Sequence, residues 1–267
     1  MIGIFDSGVG GLTVLKHLLK KLPDYDYIYL GDNARAPYGG RSQDTIYEYT
    51  REAVDFLFSR GSKLIILACN TASSQALRKI QQEYLPKKYP GKNVLGVIRP
   101  LVEKAVEGKY KKIAVLGTKA TIESGVYKKE IKKLNEEIKV FEKCAPLLVP
   151  LIEEGWTGKP ETKKILKNYL RSLKNEQVDY LILACTHYPF LLDEIRKIMT
   201  KRCTVDCPGI VIAESLAAYL ERHEELGIKK TANPVLNFYT TDSVEIFRKI
   251  GEKFLGQEIR NIEKAII

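Results

Sequence analysis

The sequence has no long hydrophobic run. None of its 267 residues lies in a stretch close to the roughly 20 apolar residues that a membrane-spanning helix needs, so we expect no membrane partner. The chain enters a strand-like run at Ile2–Asp6 with no basic leader and no apolar signal segment. These absences predict a cytoplasmic protein. Its length suffices for one large domain or for two domains of about 100–150 residues.

Cysteine is scarce, and the five residues at positions 69, 144, 185, 203 and 207 contain no CxxC pair. An odd and sparse set is typical of free thiols in a reducing compartment rather than of a disulfide framework. Cys203 and Cys207 have no histidine nearby, which argues against a structural zinc site. We therefore expect no metal.

Signatures of the common cofactors are missing as well. The glycine-rich segment Asp6–Gly11 fits neither the GxGxxG pattern of dinucleotide sites nor the GxxxxGK pattern of ATP sites. No lysine lies in a motif that would argue for a pyridoxal phosphate Schiff base. We therefore expect an activity that needs no cofactor.

The net charge of +10 is not accompanied by a nucleic-acid-binding motif. The lysines fall on predicted helix faces at 16–21, 128–139 and 163–174, which is typical of a solvated surface. We expect no nucleic-acid partner. A positive field would instead help to gather a dianionic substrate.

Short apolar runs alternate with helical patterns along most of the chain. Continuous apolar runs followed by helices indicate parallel strands that are covered on both faces, which predicts the α/β class. The predicted strands are Ile2–Phe5, Tyr27–Leu30, Leu64–Ala68, Val94–Ile98, Ile113–Leu116 and Leu181–Ala184.

The chain also contains an internal repeat. Residues 64–71 (LIILACNT) parallel residues 180–187 (YLILACTH), and residues 2–8 (IGIFDSG) parallel residues 113–119 (IAVLGTK), at offsets of 116 and 111. The simplest account is two similar parallel-sheet α/β domains related by pseudo-twofold symmetry. Ligands of such sheets bind beyond the carboxyl ends of the strands, so we expect an active site in the cleft between the domains.

Cys69 and Cys185 lie where two predicted strands end and polar residues begin. A buried core position is the alternative interpretation, which suits Cys144, Cys203 and Cys207 better. A helix predicted at Ser74–Tyr84 would place its positive end near Cys69 and lower the pKa of that thiol. Cys185 opens a second helix in the same manner, with Pro189 in its first turn.

Two further residues have polar side chains at strand ends. Asp6 is either a helix N-cap or a functional carboxylate. His187 is either a structural histidine or a group that exchanges protons near pH 7. We assign no role to His17 and His223.

The paired cysteines favour a particular reaction. One cysteine with a histidine would suggest a nucleophile. Two cysteines in matching units suggest inversion of a stereocentre, which needs a base on one face of a carbon and an acid on the other. Each group swaps its role in the reverse direction.

Several motifs resemble those of glutamate racemase, in order along the whole chain. They are Phe5–Gly11 (FDSGVGG), Pro37–Gly39 (PYG), Ala68–Ser73 (ACNTAS), Gly117–Thr121 (GTKAT), Ala184–Pro189 (ACTHYP) and Tyr239–Asp242 (YTTD).

The resemblance implies that Cys69 and Cys185 are the acid–base pair, with Asp6 assisting the first cysteine and His187 the second. It implies an auxiliary acid at Glu153 or Glu154. It further implies that the substrate, L- or D-glutamate, is held by Asp6, Ser7, Pro37, Tyr38, Gly39, Asn70, Thr71, Thr118, Thr121, Thr186 and His187.

The resemblance also implies a cofactor-independent, cytoplasmic homodimer that supplies D-glutamate for peptidoglycan. The first domain would comprise residues 1–98 plus 208–267, and the second residues 99–207. Some members of the family have an N-terminal extension tied to activation by a cell-wall precursor. Since this chain begins at its first strand, we expect no such activation.

Three alternatives remain open. An aspartate racemase or another racemase of the same superfamily would use the same two cysteines, although the Asn70-Thr71 and Thr186-His187 pairs favour glutamate. A non-catalytic amino-acid-binding protein would not need paired cysteines. A role as a protein-binding inhibitor of another enzyme, a side role in the family, is the third.

Overall fold

Nine strands form two separate parallel sheets in the computed structural model, which describes residues 1–267. The strands are β1 (Ile2–Asp6), β2 (Tyr27–Gly31), β3 (Leu64–Leu67), β4 (Asn93–Gly96), β5 (Lys112–Gly117), β6 (Lys139–Cys144), β7 (Tyr180–Ala184), β8 (Leu236–Thr240) and β9 (Ile262–Lys264). The first sheet has the order β4-β3-β1-β2-β8-β9, and the second has the order β6-β5-β7. Every strand pair is parallel, which confirms the α/β class.

Helices connect the strands and cover the sheets. They are α1 (Leu12–Lys21), α2 (Gln43–Ser59), α3 (Asn70–Gln75), α4 (Leu77–Lys79), α5 (Leu85–Lys88), α6 (Ile98–Glu107), α7 (Lys119–Glu123), α8 (Val126–Leu134), α9 (Leu148–Glu153), α10 (Pro160–Asn175), α11 (Leu192–Met199), α12 (Pro208–Arg222) and α13 (Val244–Leu255). A π-helical turn at Ile80–Tyr84 joins α4 to α5. None of these helices combines the length and the apolar character that crossing a membrane would require.

The amphipathic pattern of α10 shows why these segments are helical. Its buried residues Thr162, Leu166, Leu170 and Leu173 recur every three or four positions, so they form one stripe along the helix. The lysines between them face solvent, as the sequence predicts for residues 163–174.

The repeat in the sequence is also a repeat in topology. The order β3-β1-β2 in the first sheet matches the order β7-β5-β6 in the second. Strands of the first sheet come from residues 2–96 and 236–264, and strands of the second come from residues 112–184. The domain boundaries at 98 and 208 stay predictions.

One hydrophobic core joins the two sheets. A cluster of 54 buried residues contains side chains of β1 and β3 as well as of β5 and β7. A smaller cluster of 21 residues lies mainly on the opposite face of the first sheet, under α2. The two halves therefore bury much of their apolar surface in common.

Several expectations about individual elements were wrong. The strand expected at Val94–Ile98 ends at Gly96, because Ile98 begins α6 and is buried on the same helix face as Leu101, Val102 and Ala105. Strands β6, β8 and β9 were not predicted from the sequence.

Two cysteines expected in the core are only half-buried. Cys203 is buried, whereas Cys144 ends the edge strand β6 and Cys207 precedes α12. The sulfur of Cys207 lies 3.4 Å from Nε2 of His17.

Candidate active site

Cys69 follows β3 directly and caps the helix behind it. Its sulfur accepts a hydrogen bond from the backbone N–H of Ala72 at 3.5 Å and lies 3.4 Å from the hydroxyl oxygen of Ser7. The helix α3 therefore begins at Asn70 and not at Ser74 as predicted, because the thiol itself serves as the cap. Cys69 is 6% exposed.

Burial determines the protonation of Cys69. Burial, and then the charge of Asp6, raise the pKa of this thiol to about 12, although Ser7 and Ala72 act in the opposite direction. The expected lowering of this pKa by the helix end is thus wrong, because desolvation outweighs the helix field. At neutral pH this group is a proton donor until something else shifts it.

Cys185 follows β7 in the same way but has a different neighbour. Its sulfur lies 3.9 Å from Nδ1 of His187. The backbone then forms a short 3-10 helix at Tyr188–Leu191, and α11 begins only at Leu192. Thus Cys185 does not open an α-helix as Cys69 does, because the bonds from Tyr188 N and Phe190 N each reach back three residues.

His187 connects Cys185 to a carboxylate. Its Nε2 atom lies 2.8 Å from Oε1 of Glu153, whereas Glu154 is the exposed C-cap residue of α9. Burial lowers the pKa of His187, but Cys185 and Glu153 more than offset this and raise it to about 10. Of the two candidate auxiliary acids, Glu153 is the one in contact with the predicted site.

Asp6 lies at the junction of the two halves. It does not cap α1, whose N-cap is Gly11, because its Oδ2 atom accepts from the N–H of Gly8. Its Oδ1 atom accepts from the hydroxyl of Thr186 at 3.3 Å. Complete burial raises the pKa of Asp6, against the opposing influence of His187 and of the backbone bonds.

Thr13 supplies a second link across the junction. Its hydroxyl donates to the carbonyl of Thr186 at 2.8 Å and also contacts the carbonyl of Gly10. Thr13 could not be selected from the sequence, since it lies inside an ordinary amphipathic helix. Together with Asp6 it fixes Thr186 beside the glycine-rich loop.

Three threonines from the two halves meet in a separate cluster. The hydroxyl of Thr71 lies 2.9 Å from that of Thr118 and 3.3 Å from that of Thr121. Thr118 donates to Thr121 at 2.9 Å. Thr71 follows Cys69 and the other two follow β5, so the structure brings together predicted binding residues from both halves.

The predicted segment Pro37–Gly39 reaches this threonine cluster through its backbone. A Cβ atom at Gly39 would lie 3.0 Å from Cβ of Thr118, so the loop packs closely there. The ring of Tyr38 is buried, and its hydroxyl donates to Asp32, so this hydroxyl is already engaged within the protein. Pro37 lines a cavity of about 200 Å³ together with Glu153.

Asp32 is a buried carboxylate that we did not select from the sequence. Besides Tyr38, it accepts from Nε of Arg35 at 2.7 Å and from the hydroxyl of Thr241 at 2.8 Å. Thr241 belongs to the Tyr239–Asp242 motif, which therefore packs against the loop that carries Pro37–Gly39. Asp32 directly follows β2, so the strand-end rule applied to β1 and β3 would have found it.

The predicted residues thus converge from both halves. In the sequence the two cysteines lie 116 residues apart, yet their immediate neighbours Ser7, Asp6, Thr186 and His187 form one connected series. No group of three or more His, Cys, Asp or Glu side chains is arranged so that it could hold a metal ion.

The comparisons with known proteins agree on one family. The sequence profile described as Asp/Glu/Hydantoin racemase matches residues 6–222. The chain belongs to this racemase family.

Individual relatives place it more closely. A glutamate racemase of Aquifex aeolicus is 40% identical over 259 residues, which cover 97% of this chain and 95% of the relative. The crystal structure of a glutamate racemase isoform from Bacillus anthracis superimposes with a TM-score of 0.93 at 34% identity, covering 100% of this chain and 97% of that one. A glutamate racemase of Francisella tularensis, crystallised with D-glutamate, gives a TM-score of 0.89 at 36% identity, with coverage of 99% and 97%. The protein is therefore an amino-acid racemase, which is a kind of isomerase, and it has the family's two-domain fold.

Proposed function

We propose that this protein interconverts L- and D-glutamate by proton transfer between Cys69, the substrate α-carbon and Cys185. The observation that carries the proposal is the pair of strand-end cysteines in matching sheets, each with its own polar partners. One sulfur, as thiolate, removes the α-proton and leaves a carbanion. The other thiol then delivers its proton to the opposite face, so the protons balance and the roles are exchanged.

The two thiols receive different assistance. Asp6 and Ser7 stand beside Cys69, and His187 with Glu153 stands beside Cys185. An imidazolium at His187 favours the thiolate of its neighbour, since opposite charges at short distance stabilise each other. The buried acid Asp6 suits a group that passes a proton to or from Cys69.

The substrate carboxylates need hydrogen-bond donors, and both halves of the molecule supply them. The hydroxyl groups of Thr71, Thr118 and Thr121 form one cluster. Asn70, which has an amide side chain, directly precedes Thr71 in the sequence. A hydrogen bond from a neutral donor to a carboxylate is stronger than one between two neutral groups. This cluster of hydroxyl groups is therefore suitable for binding an anion. The names of the relatives support glutamate over aspartate as the substrate.

The proposal extends to the setting of the enzyme. By resemblance to the family, the protein is a cytoplasmic homodimer, needs no cofactor and supplies D-glutamate for peptidoglycan. The expected homodimer can be checked by sedimentation at micromolar concentration.

Circular dichroism of L- and D-glutamate with extensively dialysed protein tests the activity. Both enantiomers should racemise, and L-glutamate should be at least about tenfold better in kcat/KM than L-aspartate, a difference of about 1.4 kcal/mol. Cys69→Ala and Cys185→Ala should each lose several orders of magnitude, because racemisation needs both groups.

A glutamate analogue with a β leaving group separates the two cysteines, since elimination needs only one base. By resemblance, Cys69 takes the proton from the D-enantiomer and Cys185 from the L-enantiomer. Cys69→Ala should then eliminate only the L-analogue, and Cys185→Ala only the D-analogue. Equal loss of both eliminations in both variants would contradict the two-base assignment. Activity that returns only with pyridoxal phosphate or a metal would contradict cofactor independence.

A further inference from the structure

The amide of Asn70 has a single hydrogen-bond partner in the protein. The hydroxyl of Tyr127 donates to its Oδ1 atom at 2.6 Å. Asn70 is the first residue of α3 in the first half of the molecule, whereas Tyr127 lies in α8 in the second half. Both side chains are buried, and the ring of Tyr127 is fully so.

The chemistry of the phenol determines which way the amide faces. Burial raises the pKa of Tyr127 well above its ordinary value, so its hydroxyl keeps its proton at any working pH. That proton has no other acceptor, since the bond to Asn70 is the only one that the hydroxyl makes. If the amide were flipped, its NH2 group would meet the phenol and the hydroxyl proton would be buried without a partner.

The opposite end of the amide is free. Nδ2 of Asn70 makes no hydrogen bond within the protein, yet it is not among the buried polar atoms sealed off from solvent. Asn70 lies between Cys69 and Thr71, whose side chains both belong to the candidate site. The unpartnered NH2 group thus belongs to a residue that is flanked on both sides by members of the candidate site.

We propose that Tyr127 is a positioning residue, which holds the Asn70 amide with its oxygen inward and its NH2 group available to a substrate carboxylate. This inference rests on the proposed function. An NH2 group donates to a carboxylate, whereas an amide oxygen in the same place would repel it. Because the donor and the amide come from different halves, the binding group is set only when the halves are packed together.

The substitution Tyr127→Phe tests this inference. Without the phenol the amide oxygen loses its buried partner and the orientation is no longer held. We expect KM for L- and D-glutamate to rise about five- to tenfold, with kcat changed less than about threefold. Tyr27→Phe is the matched control, because Tyr27 also donates one hydrogen bond, to the carbonyl of Leu22, but belongs to β2 outside the site. It should leave both constants unchanged.

A double-mutant cycle separates positioning from general damage. If Tyr127 acts through Asn70, Tyr127→Phe should cost nothing further in an Asn70→Ala background. Additive losses, or a fall in kcat at constant KM, would overturn the inference. If the wild-type protein racemises glutamate and Tyr127→Phe has the same kinetic constants, the inference is overturned but the proposed function is not. A wild-type protein that does not act on glutamate would overturn the proposed function, and the inference with it.

Discussion

Equivalent cysteines have unequal neighbours in this protein. Ser7 and Asp6 surround the thiol of Cys69, whereas the imidazole of His187 stands beside the thiol of Cys185. The sequence repeat was enough to select Cys69 and Cys185 as candidate site residues, because both follow an apolar strand. The pKa of Cys69 could not be predicted from the sequence, because burial by residues distant in sequence outweighs the effect of the local helix end.

His187 makes the stability of the fold depend on pH. Its pKa is raised from 6.5 to about 10 in the folded protein, so the folded state binds a proton that the unfolded state releases in this range. Its contribution is fully present below about pH 6.5 and is lost as the pH rises toward 10. We expect His187→Gln to reduce the fall in unfolding free energy between pH 6.5 and 10 by at least about 1.4 kcal/mol.

Urea denaturation at pH 6.5, 8 and 10 provides the measurement. Glu153→Gln is a useful comparison. This variant leaves Cys185 as a partner of His187, so part of the fall in unfolding free energy between pH 6.5 and 10 should remain. Identical pH slopes for wild type and His187→Gln would show that the histidine does not carry the raised pKa.

At the scale of elements, apolar runs identified every fully buried strand, whereas the three strands that they missed are only partly buried. β1 and β7 are buried at every position, so their residues form continuous apolar runs. β6 includes Lys139, Glu142 and Lys143, because it lies at the edge of its sheet and is half-exposed. A half-exposed strand does not need a continuous apolar run, so its sequence lacks a clear signal.

The glycine-rich loop between β1 and α1 has a steric role that its sequence only suggested. A Cβ atom at Gly10 would lie 2.5 Å from Cε1 of His187 and closer still to Oγ1 of Thr186. Gly10→Ala should therefore displace the histidine and lower kcat/KM at least about tenfold, since small misplacements in a site are costly.

Gly40→Ala is the control for this substitution, because nothing lies within 4 Å of a Cβ atom at that position. Steady-state kinetics and melting temperature should be compared for both variants. Gly10→Ala with wild-type kinetics would show that the loop tolerates the contact and does not hold His187 in place.

At the scale of the whole molecule, the two sheets share one core. The sequence repeat predicted two similar units, and the topology agrees with it. The extent of the shared core could not be predicted, because it depends on which helix faces meet between the units. The largest buried cluster takes side chains from both sheets and from α1 and α12, which pack against each other.

A shared core predicts one cooperative unfolding transition. Calorimetry should show a single peak with equal calorimetric and van't Hoff enthalpies. D- or L-glutamate should raise its midpoint, because a ligand held by both halves binds only the folded state. Two resolved peaks, or a shift confined to one of them, would show that the halves unfold independently.

The unequal surroundings of Cys69 and Cys185 bear on the direction of the reaction. Mirror-image forms of one molecule have the same free energy in water, so the proposed reaction would come to rest at an equal mixture whatever the protein does. The ratio kcat/KM must then be the same from either side. If the carboxylate of Asp6 and the imidazole of His187 make turnover faster from one enantiomer, KM for that enantiomer must rise in the same proportion. Net flow toward D-glutamate would therefore be set by the reactions that remove it, and the asymmetry of the cleft would only fix the concentrations at which each direction saturates.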